Sequence, residues 1–138
     1  MLNESDWQSR TRLLIGADGV NKLHNAHVLV VGLGGVGAFA SEVLVRAGIG
    51  TLTIVDSDTY NPSNRNRQTC ALKSTEGIAK TDAVEQRLKD INPEVVVHKR
   101  NIYLKDDNII LLLKEFQYSY ILDAIDSLSP KIFLIYNA

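Results

Sequence analysis

The most constraining feature of this sequence is a glycine-rich turn between an apolar run and a helical pattern. Residues 28–31 read VLVV and residues 32–37 read GLGGVG, which fits the spacing Gly-x-Gly-x-x-Gly. The apolar run is typical of a strand that is covered on both faces. Gly32 allows the positive φ of a tight turn, Gly34 lacks the Cβ that would block a phosphate, and Gly37 allows close approach of the next helix. The motif therefore predicts a site for a nucleotide phosphate.

A second strand and an acidic residue complete this pattern. Residues 51–55 read TLTIV and are followed by Asp56, about 20 residues beyond the glycine turn. An acid at that position accepts hydrogen bonds from ribose hydroxyls, and the free N–H groups at the start of the intervening helix attract an anion. A glycine turn that binds no nucleotide is the simpler alternative. The ordered series of strand, loop, helix, strand and acid favours nucleotide binding.

The composition is that of a single globular domain. The 138 residues are 45% hydrophobic and 22% charged, and their net charge of −1 provides no basic field for nucleic acid. No run approaches the roughly 18 apolar residues of a membrane span. Cys70 is the single cysteine, which excludes an internal disulfide and a multi-cysteine zinc site. Residues 1–10, MLNESDWQSR, show no secretory pattern, so we expect a cytoplasmic protein.

Helical and strand patterns alternate along the chain. The patterns predict helices within 7–14 and 18–25, at 36–47, 78–91 and 106–115, and from 129 onward, and strands at 28–32, 51–55, 94–100 and 118–124, the last of them buried. In the helix at 78–91, Lys80 falls on the outward face. Asp106 or Asp107 is the expected cap of the following helix. The alternation predicts a Rossmann-like, doubly wound α/β fold, with a mainly parallel sheet and helices on both faces.

The last helical pattern reaches residue 138 without a glycine or a polar tail. A doubly wound nucleotide fold usually has more than the four strands that the pattern predicts here. We therefore expect residues 1–138 to be one N-terminal Rossmann-like domain that is truncated at its carboxyl end and belongs to a longer protein. The alternative is a naturally small domain.

Polar residues that suit phosphate chemistry follow the predicted strands. They are Asp56, Asp58, Asn64, Arg67, Gln68, Lys80 and Asp126. In such a sheet, the carboxyl ends of the strands line one crevice. A carboxylate that attacks an α-phosphate needs fixed cations and a divalent ion on the departing pyrophosphate, so this set suits a triphosphate. The alternatives are that Lys80 is a solvated helix charge, that Arg67 pairs with an acid, and that Asp126 caps a helix.

Four motifs of the chain resemble one family of nucleotide-dependent enzymes. GLGGVG at 32–37, DSDTYNPSNRNRQ at 56–68, GIAK at 77–80 and DAIDS at 123–127 closely resemble the ThiF/MoeB/HesA family, the bacterial relatives of ubiquitin-activating enzymes. The resemblance covers almost the whole chain from about Ser9. Within this family, DAIDS followed by Pro130-Lys131 is most similar to the branch of tRNA threonylcarbamoyladenosine dehydratases. Activators of sulfur carriers instead favour Thr-Asp-Asn with a later arginine.

The resemblance implies a role for each matching residue. The backbone at Gly34 and Gly35 would pass beneath the phosphates of ATP, and Asp126 would hold Mg²⁺. Arg10 matches an arginine that reaches the partner's active site in a homodimer, with Arg12 as an alternative. The implied catalytic residues are Arg10, Arg67, Lys80 and Asp126, and the implied nucleotide contacts are Gly32, Gly34, Gly35, Gly37, Asp56, Asp58, Asn64, Arg67, Gln68, Lys80 and Ser127.

The resemblance also implies a reaction and its partners. The reaction is ATP-dependent adenylation of the threonylcarbamoyl carboxylate on tRNA, followed by dehydrative cyclisation. The implied partners are tRNA, a second copy of the chain, and a sulfur-relay or ubiquitin-like protein. With 15 Lys and Arg against 16 Asp and Glu, this part of the protein should bind the tRNA backbone only weakly. The alternatives are an activator of a ubiquitin-like sulfur carrier, a dinucleotide-binding oxidoreductase and a non-catalytic scaffold.

The cysteine and the histidines carry no predicted chemistry. Cys70 follows the arginine-bearing loop, but no neighbouring histidine is evident in the sequence to lower its pKa. We therefore predict a small, partly buried residue rather than a nucleophile. His24, His27 and His98 are isolated in the sequence, so we expect surface or core roles rather than metal ligation.

Overall fold

The computed structural model describes residues 6–138, and the first five residues of the polar stretch MLNESDWQSR lie outside this range. The helices are α1 (Ser9–His24), α2 (Gly37–Ala47), α3 (Lys80–Ile91), α4 (Asp106–Glu115) and α5 (Leu128–Asn137). The strands are β1 (His27–Val31), β2 (Thr51–Val55), β3 (Val96–Arg100) and β4 (Tyr120–Asp123). All of these strands are parallel, and the sheet order is β3-β2-β1-β4. Two short 3-10 turns, Pro62–Asn64 and Lys73–Thr75, lie between β2 and α3.

Helices cover both faces of this sheet because strand side chains alternate between the faces. Val28 and Val30 of β1 belong to one apolar cluster, whereas Leu29 and Val31 belong to a second. The first cluster includes Val45 of α2 and Val84 and Leu88 of α3; the second includes Ile109 and Leu112 of α4 and Leu134 of α5. The Rossmann-like, doubly wound fold predicted from the sequence is therefore confirmed.

Glycines at positive φ end or interrupt two helices. Gly48 follows α2 with φ of 109° and donates its N–H to the carbonyl groups of Leu44 and Val45. Gly16 has φ of 73° and ψ of 173° and breaks α1 into two segments. The two segments agree with the separate helices that the sequence predicts within 7–14 and 18–25.

Other predicted boundaries differ from the structure. Strand β3 starts at Val96 rather than at 94, and β4 covers Tyr120–Asp123 rather than 118–124. The prediction that the last strand is buried is wrong, because β4 lies at an edge of the described sheet and Tyr120 is 72% exposed. The predicted aspartate cap of α4 is also wrong. Lys105 precedes that helix and donates its N–H to the Asn108 side-chain oxygen at 2.8 Å.

Within residues 6–138, none of the helices has the length and apolar character needed to cross a bilayer.

Candidate active site

A cavity of about 400 Å³ lies where the strands end, beside the glycine turn. Among its lining residues are Gly32, Gly34, Gly35, Asp56, Asp58, Arg67, Gln68, Lys80, Asp126 and Ser127. Strand ends, the loop of residues 56–68 and the start of α3 therefore meet at one place. The structure brings together most of the residues that the sequence singled out.

The glycine turn has the geometry that the motif predicts. Gly32 has φ of 94°, and a Cβ built on it would lie 2.6 Å from the Ala124 carbonyl oxygen. A Cβ on Gly37 would overlap the Gly32 carbonyl oxygen, so the start of α2 packs directly on the turn. At Gly34 the nearest atom to such a Cβ would be the Gln68 Nε2 at 3.9 Å. Gly32 and Gly37 are thus required by the fold itself, whereas Gly34 faces open space beside the cavity.

Asp56 joins the glycine turn to the next loop. Its Oδ2 accepts a hydrogen bond from the Leu33 N–H at 2.8 Å, and its Oδ1 accepts one from the Asp58 N–H at 2.8 Å. Each carboxylate oxygen has two acceptor sites, so both oxygens retain capacity for a further donor. The predicted ribose contact of Asp56 stays a prediction, and the geometry leaves room for it.

Lys80 is the buried cation of the cavity. The sequence pattern placed it on the outward face of a helix, which is wrong, because the residue is only 6% exposed. The Thr59–Ala79 bridge and the hydrogen bond from the Lys80 N–H to the Asp58 carbonyl oxygen turn the first residue of α3 toward the cavity. The ammonium lies 3.5 Å from the Asp58 carboxylate and 5.9 Å from the centre of the Tyr60 ring. Within residues 6–138, it makes no shorter polar contact.

Arg67 contributes a second positive charge. Its guanidinium donates to the Ser63 carbonyl oxygen at 3.1 Å and to the Asn66 side-chain oxygen at 2.9 Å. Both acceptors are neutral, and among the described residues Arg67 forms no ion pair. The nearby Arg65 differs, because it pairs with Glu76 at 2.8 Å. Arg67 therefore brings an uncompensated charge and spare donors to the cavity.

Gln68 adds an unsatisfied polar group to the same wall. The residue is buried, and its Oε1 has no hydrogen-bond partner within the described part of the chain. Buried polar atoms are nearly always paired, so an orphaned one at a cavity requires an explanation. The Gln68 atom nearest the glycine turn is instead the Nε2, which lies 3.9 Å from the position of a Cβ built on Gly34.

The loop after β4 forms the opposite wall. Asp126 and Ser127 line the cavity and are exposed. Across residues 6–138, no three His, Cys, Asp or Glu side chains converge on a possible metal position. Mg²⁺ often binds through one or two carboxylates and substrate phosphates, so a single exposed carboxylate beside a phosphate cavity suits its chemistry.

Three of the predicted site residues do not line the cavity. Gly37 packs against the glycine turn instead. Asn64 is buried, and its side-chain oxygen accepts a hydrogen bond from the Asn61 N–H at 3.1 Å. Arg10 is exposed on α1, as is expected of a residue that acts in a partner subunit. The predicted nucleotide contacts and catalytic roles of these residues stay predictions.

Sequence reasoning missed the apolar part of the wall. Ile102, Tyr103 and Leu104 follow β3 and line the cavity, and Pro130 of α5 does so as well. The sequence does indicate their position, because these residues follow a predicted strand and the loops after parallel strands meet at one edge of the sheet. These positions carry no charged residue, so phosphate chemistry alone does not single them out.

Cys70 is buried beside the core and does not line the cavity. Burial raises the pKa of its thiol. The thiolate, which is the reactive form, is therefore disfavoured. Burial agrees with the prediction of a packing residue rather than a nucleophile.

Comparison with known proteins decides the family. The profile of the ThiF family matches residues 8–136. The chain belongs to the ThiF family. This membership confirms the resemblance that the four sequence motifs predicted.

Individual relatives of this ThiF-family chain are named enzymes. It is 40% identical over 132 residues to tRNA threonylcarbamoyladenosine dehydratase of Escherichia coli (strain K12), across 94% of this chain and 49% of the relative. It is 38% identical over 114 residues to molybdopterin-synthase adenylyltransferase of the same organism, across 83% of this chain and 45% of the relative. The chain thus spans about half the length of the curated relatives it matches.

A solved structure has the same fold. The crystal structure of Escherichia coli tRNA N6-threonylcarbamoyladenosine dehydratase in complex with ATP matches with a TM-score of 0.89 and 38% sequence identity. The match covers 98% of this chain and 56% of that chain. The Rossmann-like arrangement of the ThiF-family chain is therefore shared along almost its whole length.

Proposed function

We propose that the cavity binds ATP and that the chain is the N-terminal, adenylating part of an ATP-dependent enzyme. Lys80, a buried lysine that lines the cavity, carries this proposal. A buried cation needs a compensating partner, and the Asp58 carboxylate at 3.5 Å compensates it only in part. Arg67 and Gly34 line the same cavity as Lys80, and two cations beside an open backbone suit a triphosphate. The ATP complex of the dehydratase from Escherichia coli supports the choice of nucleotide.

The reaction that these charges favour is the adenylation of a carboxylate. A carboxylate oxygen attacks the α-phosphorus of ATP, the bond to the bridging oxygen breaks, and pyrophosphate leaves. Attacking and attacked groups are both anionic, so the step needs fixed cations where negative charge accumulates. Lys80 and Arg67 serve this purpose in the proposal. Hydride transfer to or from a nicotinamide cofactor builds up no such negative charge on a phosphate.

Asp126 is the residue that would hold Mg²⁺ in this proposal. When bound, the ion would neutralise charge on the phosphates and on the departing pyrophosphate. Asp126 lines the cavity and is exposed, so its carboxylate would be accessible to an ion bound by the phosphates.

The substrate that we propose is tRNA threonylcarbamoyladenosine. The threonylcarbamoyl carboxylate becomes an acyl-adenylate, an internal nucleophile of the same modified base closes a ring, and AMP leaves. The nucleoside loses one water overall, and the ring closure is intramolecular, which gives a high effective concentration. The dehydratase relative, at 40% identity, and the DAIDS and Pro130-Lys131 pattern support this substrate. The cyclisation needs no protein thiolate, which agrees with the buried Cys70.

A second candidate is the activation of a ubiquitin-like sulfur-carrier protein. The identity of 38% to molybdopterin-synthase adenylyltransferase favours it. An activator of this kind would use the same ATP site and would adenylate the carboxyl-terminal glycine of a protein.

We further propose that the protein is a homodimer, in which Arg10 of one subunit reaches the active site of the other. We also propose that it is located in the cytoplasm.

The proposal is tested with the full-length protein, ATP, Mg²⁺ and native tRNA. We expect mass spectrometry of the digested nucleosides to show loss of one water from threonylcarbamoyladenosine, and AMP to form in equal amount. tRNA that lacks the modification should give no AMP. Exchange of pyrophosphate into ATP that requires a sulfur-carrier protein instead of tRNA would favour the second candidate. Tighter binding of NAD(H) than of ATP with Mg²⁺ would overturn both candidates.

A further inference from the structure

The loop that carries Asp126 is held by an ion pair at its base. Asp123, the last residue of β4, accepts a hydrogen bond from the Lys131 ammonium on its Oδ2 at 2.8 Å. Its Oδ1 accepts one from the Ile125 N–H at 3.0 Å. One carboxylate therefore joins the turn that follows β4 to the first turn of α5.

This loop also packs directly on the glycine turn. The Ala124 N–H donates to the Val31 carbonyl oxygen at 2.9 Å, and the Ala124 carbonyl oxygen leaves no space for a Cβ on Gly32. Ala124 and Ile125 are thus anchored at the end of the sheet, while Asp126 is exposed at the cavity. Within the described chain, no hydrogen bond from the Asp126 side chain holds that carboxylate in place. Its position depends on the loop on either side of it.

We propose that Asp123 and Lys131 are positioning residues of the active site. Their ion pair sets where Asp126 and Ser127 stand relative to the glycine turn, and neither residue of the pair lines the cavity. The proposal rests on the proposed function, because it assigns the pair to the nucleotide site. It is more than a surface ion pair, since both side chains are partly buried, with 34% of Lys131 and 20% of Asp123 exposed. A surface pair would contribute almost nothing.

Lys131→Met removes the charge but keeps a side chain of similar length. We expect turnover in the full-length protein to fall roughly 10–100-fold, as is usual when a residue that orients a site residue is lost. Lys131→Arg keeps the pair and should restore turnover to within a few-fold of the wild type. Lys114→Met is the matched control, because Lys114 is exposed on α4 and forms no ion pair among the described residues. It should leave turnover unchanged.

A double-mutant cycle separates positioning from general stability. In an Asp126→Asn background, Lys131→Met should reduce turnover by less than about twofold, because the carboxylate that it positions is already gone. Equal losses in both backgrounds would overturn the proposal, as would failure of Lys131→Arg to restore turnover. Thermal unfolding of every variant is recorded, and Asp123→Asn provides an independent break of the pair if Lys131→Met does not fold.

Binding provides a readout that does not depend on the tRNA reaction. The affinity for a non-hydrolysable ATP analogue with Mg²⁺ should fall in Lys131→Met and recover in Lys131→Arg. Unchanged affinity and turnover in Lys131→Met would refute the positioning role. Normal analogue binding without any dehydration of tRNA by the wild type would instead refute the proposed substrate and leave this inference standing.

Discussion

The Lys80 ammonium and the Asp58 carboxylate lie 3.5 Å apart, although the lysine is buried and the side chain of the aspartate is 71% exposed. A carboxylate that is itself largely exposed to solvent gives a buried lysine only weak compensation. Such an arrangement is typical of a site in which a charged side chain binds a ligand of opposite charge, at some cost in stability.

Lys80→Met should therefore reduce the activity of the protein without reducing its stability. We expect turnover of the full-length protein to fall roughly 10²–10³-fold, because a cation at the developing negative charge is lost. The free energy of unfolding in urea should stay the same or rise. Lys89→Met, in the same helix but exposed and paired with Glu85, is the control and should leave turnover unaffected. A marked loss of stability together with normal turnover would show that Lys80 is a structural residue.

Arg67→Ala should reduce turnover by a similar factor of roughly 10²–10³. Arg67 is exposed and, within residues 6–138, its guanidinium has neutral partners alone, so the free energy of unfolding should change by less than about 0.5 kcal/mol. Arg65→Ala is the control, because Arg65 is on the same loop but pairs with Glu76 and does not line the cavity. Steady-state kinetics of AMP formation in both variants provide the measurement. If the two variants lose activity equally, the assignment of Arg67 is wrong.

Two glycines of the same turn should respond differently to alanine. Gly37→Ala should destabilise the protein by at least about 2 kcal/mol, because the new Cβ would overlap the Gly32 carbonyl oxygen. Gly34→Ala should change stability by less than about 0.5 kcal/mol and weaken ATP binding, since its Cβ would project into open space beside the cavity. Urea unfolding and calorimetric titration with an ATP analogue measure the two effects. Normal ATP binding by Gly34→Ala would place the phosphates elsewhere.

Cys70 should be dispensable for catalysis. Its thiol is buried and its pKa is raised by that burial, so we expect slow alkylation by iodoacetamide at pH 7.5 in the folded protein. Cys70→Ala should retain turnover within about twofold and lose roughly 1 kcal/mol of stability from the vacated volume. Trapping of a substrate thioester on Cys70 would contradict this prediction.

His27 should make the protein less stable in acid. Its ring packs against His98, Phe116 and Tyr118, and burial, aided by the charge of His98, lowers its pKa in the folded state. The unfolded chain therefore binds the proton more readily, so stability is highest above the ordinary pKa of about 6.5 and falls as the pH drops below it. His27→Gln should reduce the loss of unfolding free energy between pH 7 and 5. An identical pH profile in the variant would show that His27 does not contribute.

The sequence predicted the fold and most of the cavity for identifiable reasons. Strands β1 and β2 are apolar runs with clear ends, and the glycine spacing determines the turn and the helix start after β1. The burial of Lys80 was not predictable from helical periodicity, since Lys80 is the first residue of α3 and its direction is set by the loop at Asp58. The rings of His27 and His98 are 71 residues apart in the sequence and lie near each other because β1 and β3 are on either side of β2. Contacts of this kind are properties of the sheet order rather than of any local pattern.

The two hydrogen bonds that Asp56 accepts have a consequence for the kinetics of nucleotide capture. Because the Asp56 carboxylate binds both the Leu33 and the Asp58 amides, hydrogen bonds of the fold itself join the glycine turn to the loop after β2. Little backbone freedom is then lost upon association. ATP should enter at a rate set by diffusion and charge attraction, in a single kinetic phase, without a slow step in which a disordered loop folds around it.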